Sequence, residues 1–189
     1  MGKKIMYITM SLNGKIARNN RDVDWLESIP NPTKNDYGYH SFYNEMDFTI
    51  QRYKTYKQVA NWGIDFPYPD TENYVFTTKQ NLKNIKDVNF IIKEHLQLVK
   101  DLKAKGNTWI IGGGMINTML LNSGLLDELR IFVMPVVLPD GKELFGGTPL
   151  ESRLKLTETI THPNGVLELR YTYYFSSSFF LDSRNLRIL

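Results

Sequence analysis

The stretch Trp109-Ile110-Ile111-Gly112-Gly113-Gly114 joins three large apolar residues to three consecutive glycines, and a helical pattern follows it. The apolar run is typical of a strand that is buried on both faces of a parallel sheet. Glycine permits a tight turn and lets a ligand approach the backbone closely. The N–H groups at the start of the next helix favour an anion. The stretch therefore predicts a strand, a glycine turn and a helix N-terminus that together bind a phosphate-bearing ligand.

Outward from this turn, apolar runs alternate with segments of helical spacing along most of the chain. Strands are predicted at residues 4–10, 48–50, 74–77, 88–92 and 128–134, and helices near 39–46, 55–62, 96–103 and 116–121. The end differs, because residues 154–161 and 166–175 alternate around Asn164-Gly165, which predicts a β-hairpin. The pattern indicates a single α/β domain over residues 1–175 with a mostly parallel mixed sheet, helices on both faces and an antiparallel ending, followed by a tail at 176–189.

Composition excludes several classes of protein. The chain of 189 residues has no cysteine, so disulfides, cysteine-ligated metals and thiol catalysis are excluded. Its histidines, His40, His95 and His162, are far apart, and no metal site is predicted. The net charge is only +3, without a basic block, and no apolar stretch is long enough to span a membrane. We therefore expect a cytoplasmic protein with a small-molecule substrate and no nucleic-acid or membrane partner.

Several motifs, in this order and at this spacing, resemble the dihydrofolate reductase-like family, which includes the reductase domain of riboflavin biosynthesis. Residues Ser11 to Ala17 are similar to the family's S-L-D-G-x-I-A loop, and Asp22 to Leu26 and Asp36 to Tyr39 to segments of its bacterial branch. Lys54-Thr55-Tyr56 is similar to the end of its M-G-R-x-T-Y block, and the glycine turn to its second nucleotide-binding block. The resemblance implies a three-layer α/β/α fold.

The resemblance also implies a reductase that uses NADPH and transfers hydride to a pteridine- or pyrimidine-like ring. A 5-amino-6-(5-phosphoribosylamino)uracil reductase is the riboflavin-type alternative, which Lys15 favours and Ile111 disfavours. The loop from Asn13 to Asp24 is implied to be a mobile flap over the site. The cofactor-binding residues implied by the motifs are Ile16, Ala17, Arg52, Tyr53, Lys54, Thr55, Ile111, Gly112, Gly113, Gly114, Met115 and Ile116.

Six further residues are candidates for the substrate side of the site. We expect Lys15 and Asp36 to act in catalysis, with Asp36 as a proton donor near the accepting ring. The competing role of Asp36 is to cap the helix that follows it. The residues expected to contact the substrate are Asn13, Trp25, Tyr37 and Trp62. For the two tryptophans, core packing is the competing interpretation.

Two residues depart from the family's first nucleotide-binding block. Arg52 stands where the family has glycine, and Tyr53 where it has a phosphate-binding arginine. Arg52 and Lys54 supply positive charge for a 2′-phosphate. The bulk of the Arg52 side chain, however, also obstructs the approach of the cofactor to the backbone. A nucleotide-binding protein or ligand sensor without turnover is therefore the second interpretation. The apolar Phe179 and Phe180 in the tail are consistent with packing on the body or with a homodimer.

Overall fold

The computed structural model describes residues 1–62, 66–85 and 87–173. Within these ranges the helices are α1 (Tyr39–Tyr43), α2 (Tyr53–Ala60), α3 (His95–Leu102) and α4 (Gly114–Asn122). The strands are β1 (Lys4–Ser11), β2 (Lys15–Ala17), β3 (Phe48–Arg52), β4 (Glu72–Phe76), β5 (Val88–Ile91), β6 (Thr108–Gly112), β7 (Glu128–Met134), β8 (Lys142–Glu143), β9 (Leu154–Thr161) and β10 (Leu167–Tyr173). The proposed tail, 176–189, lies outside the described residues.

Eight strands form one sheet in the order β5-β4-β3-β6-β1-β7-β10-β9. Pairs from β5 to β7 are parallel, whereas β10 runs antiparallel to both β7 and β9. The predicted mixed sheet with an antiparallel ending is therefore confirmed. β6 is inserted between β3 and β1, so the strand order changes direction at this point of the sheet. In open α/β sheets, ligands bind in the crevices at such points. The glycine turn leaves β6 at this position.

Helices cover both faces of the sheet. Met6 and Ile110 are fully buried against Val99 of α3 and Leu120 of α4. Their neighbours in sequence point the opposite way, and Trp109 belongs to a second cluster with Phe42 of α1. Consecutive residues buried on opposite faces explain why these strands are continuous apolar runs rather than alternating ones. The arrangement confirms the three-layer α/β/α fold.

The loop that was expected to be a mobile flap is held at several points. Part of it forms β2, which pairs with β8 in a small second sheet. Arg18 Nε donates to the Asp24 carboxylate at 2.6 Å, and Gln58 Nε2 of α2 donates to the Arg21 carbonyl oxygen at 2.6 Å. The loop therefore lies against α2 and the segment around β8.

Candidate functional site

The three glycines of the turn serve different purposes. Gly112 has a φ of +94°, and a Cβ there would lie 2.7 Å from Asn117 Oδ1. A Cβ on Gly114 would collide with the Glu143 carbonyl oxygen. A Cβ on Gly113 would meet only Thr55 Oγ1, at 3.8 Å. The fold itself therefore requires glycine at positions 112 and 114, whereas at 113 the missing side chain leaves open space.

That space belongs to a cleft of about 350 Å³ between the glycine turn and the start of α2. A neighbouring cleft of about 600 Å³ shares Arg21, Arg52, Lys54 and Met115 with it. We call the two together the cationic groove. Its remaining walls are Ile16, Ala17, Tyr53, Thr55, Lys57, Gln58, Phe76, Thr77, Thr78, Lys79, His95, Gly113, Gly114, Ile116, Met119, Gly141, Lys142, Glu143 and Gly146.

Positive charge dominates the groove. Arg52 and Lys54 are exposed and take no part in an ion pair within the described parts of the chain. The Lys79 ammonium lies 4.7 Å from the centroid of the Tyr53 ring, a cation–π contact. Unpaired cations around a glycine turn form a site that attracts phosphate groups.

The structure places the predicted cofactor residues along this groove, apart from Ile111 and Gly112, which do not line it. Gly112 shapes the turn, as described above. The Ile111 side chain packs instead on the face of the sheet that carries Phe42 and Trp109. Its assignment to the cofactor therefore needs correction, because the alternation along β6 turns it towards the other layer.

The start of α4 also differs in detail from the prediction. The Ile116 N–H already donates to the Gly113 carbonyl oxygen at 2.8 Å, so it is not free for an anion. No backbone acceptor for the N–H groups of Gly114 and Met115 occurs among the described residues. These two amides, rather than that of Ile116, are available to a phosphate. Ile116 contributes its buried side chain to the groove wall.

A second cavity, of about 270 Å³, lies on the other face of the sheet, and we call it the aromatic pocket. The hydroxyl of Tyr7 donates to the Tyr37 carbonyl oxygen at 3.1 Å, and its ring centroid lies 4.6 Å from that of Phe132. Burial raises the pKa of Tyr7, so its phenol is neutral at physiological pH. The pocket is lined by Tyr7, Thr9, Leu26, Ile29, Asn31, Asp36, Tyr37, Tyr39, Phe132, Met134 and Val166.

Asp36 lines this pocket, but its environment contradicts a role as proton donor. Its carboxylate accepts hydrogen bonds from the backbone N–H of His40, at 3.1 Å, and of Gly38, at 2.9 Å. These bonds lower the pKa of Asp36, whereas a general acid at neutral pH needs a raised one. Asp36 instead satisfies the free N–H groups at the start of α1, which was the competing role.

Two other polar candidates, Lys15 and Asn13, also have structural roles. Lys15 forms an ion pair with Glu143 across the β2–β8 pair, and it lines neither the groove nor the pocket. The Asn13 amide donates to the Leu138 carbonyl oxygen at 2.7 Å and accepts from the Leu138 N–H at 3.1 Å. Because both ends of the amide are engaged, Asn13 joins two loops and does not reach a substrate. The two predictions therefore need correction.

The predicted aromatic contacts are divided between core, pocket and surface. Trp25 is 2% exposed and packs with Phe132 and Met134 behind the pocket, so it belongs to the core. Trp62 is 51% exposed and lines a depression that adjoins the groove, with which it shares Arg21, Lys54, Lys57 and Gln58. Tyr37 does line the pocket, and its hydroxyl accepts a hydrogen bond from Asn164 Nδ2 at 2.5 Å. The assignment of Trp25 to substrate contact therefore needs correction, whereas that of Trp62 stays a prediction.

Three important residues were not predicted from the sequence. Arg21 lines both clefts of the groove, although no motif marks it. Tyr7 and Phe132 form the pocket walls, and in the sequence they are ordinary members of apolar strands. The one available signal is the position of Phe132 in the carboxyl half of a parallel strand, where sites gather, whereas Tyr7 lies in the middle of β1.

The sheet, the glycine turn and the groove define a dihydrofolate reductase-like α/β protein. The family model for the RibD C-terminal domain matches residues 68–167. The uncharacterized protein YwjB of Bacillus subtilis (strain 168) is 34% identical over 159 residues, which cover 83% of this chain and 90% of that protein. The chain therefore belongs to the RibD C-terminal domain family.

Solved structures show the same architecture. A protein of Shewanella sp. PV-4, provisionally assigned to riboflavin biosynthesis, is similar with a TM-score of 0.80 and 25% identity, over 90% of this chain and 98% of that one. Dihydrofolate reductase from Enterococcus faecalis, solved with NADP(H), is similar in fold with a TM-score of 0.64 and 13% identity, over 92% and 97% of the two chains.

The described residues contain no cluster of three or more acidic or histidine side chains suited to a metal ion. Their helices are all too short or too polar to cross a membrane.

Proposed function

We propose that this chain is an NADPH-dependent reductase that transfers hydride to a small pteridine- or pyrimidine-like ring. The observation that carries the proposal is Gly113, which the fold does not require to be glycine and which opens into a groove of unpaired cations. A buried phosphate needs charged partners and close backbone approach, and this groove offers both. The complex of the Enterococcus faecalis enzyme with NADP(H) supports the choice of cofactor.

In this proposal different residues of the groove bind different parts of the cofactor. The N–H groups of Gly114 and Met115 bind the pyrophosphate, and Thr55 faces it from α2. Arg52 and Lys54 bind the 2′-phosphate, since both are exposed and unpaired along the same groove. They do so in place of the family's arginine, whose position is occupied here by Tyr53. Ile16 and Ala17 provide the apolar wall for the nicotinamide. When bound, the reduced nicotinamide supplies the hydride.

Direct titration of the protein with NADPH and with NADH tests this proposal. The intrinsic tryptophan fluorescence, to which Trp109 in β6 contributes, provides the signal. We expect saturable quenching with tighter binding of NADPH, because only NADPH carries the 2′-phosphate. No binding of either nucleotide at millimolar concentration would refute the enzyme interpretation.

A second candidate function is nucleotide binding without turnover. It is favoured by the lowered pKa of Asp36, whose bonds to backbone N–H groups keep the one acidic side chain of the pocket lining ionised. It predicts tight NADPH binding with no oxidation of NADPH in the presence of any pteridine or pyrimidine. Oxidation of NADPH with such a compound, at a rate above that without protein, would rule out this second candidate.

A further inference from the structure

The two cavities differ sharply in charge. The groove is lined by Arg21, Arg52, Lys54, Lys57, Lys79 and Lys142. The aromatic pocket has no lysine or arginine among its lining residues, as far as the structure describes the chain, and its one charged group is the Asp36 carboxylate. A phosphate in the pocket would face a negative charge and no cation.

Two arginines on this side of the sheet are already neutralised. Arg130 Nε lies 2.6 Å from the Glu128 carboxylate. Arg170 lies 2.6 Å from each of Glu168 and Glu158. Drawing Arg170 away would take the guanidinium from the buried Glu168 carboxylate, and drawing Arg130 away would leave the buried Glu128 carboxylate with Lys3 alone. Either change carries an energetic cost, so these two arginines are not free for a phosphorylated ligand.

The shape and size of the pocket suit a flat ring. Four of its lining residues are aromatic, and the stacking of one of them, Tyr7, on Phe42, with centroids 4.4 Å apart, holds the Tyr7 ring in place. Thr9 adds a hydroxyl for the polar edge of a heterocycle. The volume of about 270 Å³ lies below the range of roughly 300–1,000 Å³ typical of ligand pockets, so a ring fits better than a ring with a sugar phosphate.

We propose that the ligand of the aromatic pocket is an unphosphorylated planar heterocycle, neutral or cationic, and that a phosphoribosyl substrate is excluded. That this ring is the substrate that accepts the hydride rests on the proposed reductase function, whereas its binding in the pocket is argued from the pocket alone. The proposal distinguishes this chain from the 5-amino-6-(5-phosphoribosylamino)uracil reductase, the alternative that the sequence left open.

Calorimetry with a matched pair of ligands tests the proposal on the unmodified protein. The pair is 5-amino-6-ribosylaminouracil and its 5′-phosphate, with 7,8-dihydropterin as a second neutral ring. We expect the uncharged riboside to bind at least about tenfold more tightly than the phosphate, because an unpaired dianion is costly to desolvate. Equal or tighter binding of the phosphate, or no binding by either neutral ring at millimolar concentration, would overturn the proposal.

The test of the pocket ligand is independent of the test of the reductase function. Ligand binding is measured without nucleotide, so an absence of NADPH binding would refute the reductase function and leave the calorimetric result unaffected.

The variant Leu26→Arg places a cation at the pocket wall and should shift the preference towards the phosphate, whereas Leu12→Arg, at an exposed position outside the pocket, should not. A shift of the same size in both variants would contradict the placement of the ligand in this pocket.

Discussion

The cationic groove and the aromatic pocket are supported in different ways. The charged groove residues Arg52, Lys54 and Lys57 are exposed and free to adapt to a ligand. The pocket walls, in contrast, are continuous with the core, since Phe132 and Met134 pack on Trp25 and are almost fully buried. Changes in the groove should therefore alter affinity and leave the fold intact, whereas changes behind the pocket should alter both.

The largest effect is expected from Trp25→Ala, which removes the support behind the pocket. Loss of a buried tryptophan costs about 3–5 kcal/mol, which a denaturant titration would show as a lower unfolding midpoint. The matched variant Trp62→Ala removes an exposed ring and should change stability by about 0.5 kcal/mol or less. Similar losses in the two variants would contradict the assignment of Trp25 to the core.

On the groove side, Gly113→Val should weaken cofactor binding without unfolding the protein. The new side chain would occupy the space in front of Thr55, and a loss of about 100-fold in NADPH affinity, about 2.7 kcal/mol, is expected. The circular-dichroism spectrum should be unchanged. Gly114→Val should instead unfold the turn, because its side chain would collide with the Glu143 backbone. Unchanged NADPH affinity in Gly113→Val would refute the placement of the pyrophosphate.

A smaller change is expected from Arg52→Ala. A charge-assisted hydrogen bond contributes about 1.5–3 kcal/mol, so NADPH affinity should fall by at least about tenfold. NADH affinity should hardly change, and the gap between the two cofactors should narrow. Arg18→Ala is the control, because Arg18 is paired with Asp24 and lies outside the groove. A parallel loss for both cofactors would show that Arg52 does not contact the 2′-phosphate.

The smallest effect is expected from Asp36→Asn. Hydrogen bonds from His40 and Gly38 lower the pKa of Asp36 in the folded state, so the carboxylate stabilises the protein above the ordinary aspartate pKa. The stability advantage of the unmodified protein over the variant is lost as the pH falls through the lowered pKa of Asp36 in the folded state. Unfolding midpoints should therefore differ slightly at neutral pH and converge in acid. A change in the pH profile of NADPH oxidation would restore Asp36 as a catalytic group.

The contrast between the two sites also explains what the sequence could predict. The strands, the hairpin and the glycine turn follow from local patterns, and the motif residues around Thr55 and Gly113 lie together as the resemblance implied. Gly112 and Gly113 look alike in the sequence, but only at Gly112 would a Cβ collide with Asn117, and that depends on how α4 docks.

The roles of Lys15, Asn13 and Trp25 could not be predicted, because each depends on a partner more than 100 residues away. Lys15 is engaged by Glu143, Asn13 by Leu138 and Trp25 by the β7 strand. Nothing in the local sequence distinguishes a lysine that meets a ligand from one that meets a distant carboxylate. The aromatic pocket was missed for the same reason, since its walls come from β1, β7, the segment from Leu26 to Tyr39 and the turn before β10.

The bond between Gln58 and the loop carrying Arg21 has a consequence for engineering the protein. Gln58 binds the main-chain carbonyl of Arg21 and not its side chain, so this bond does not require arginine, although the φ of +79° at position 21 favours residues such as asparagine or aspartate. The side chain at 21 meanwhile lines both halves of the groove. A substitution at position 21 can therefore change the charge of the groove that a nucleotide meets while the hydrogen bond from Gln58 to the loop is kept.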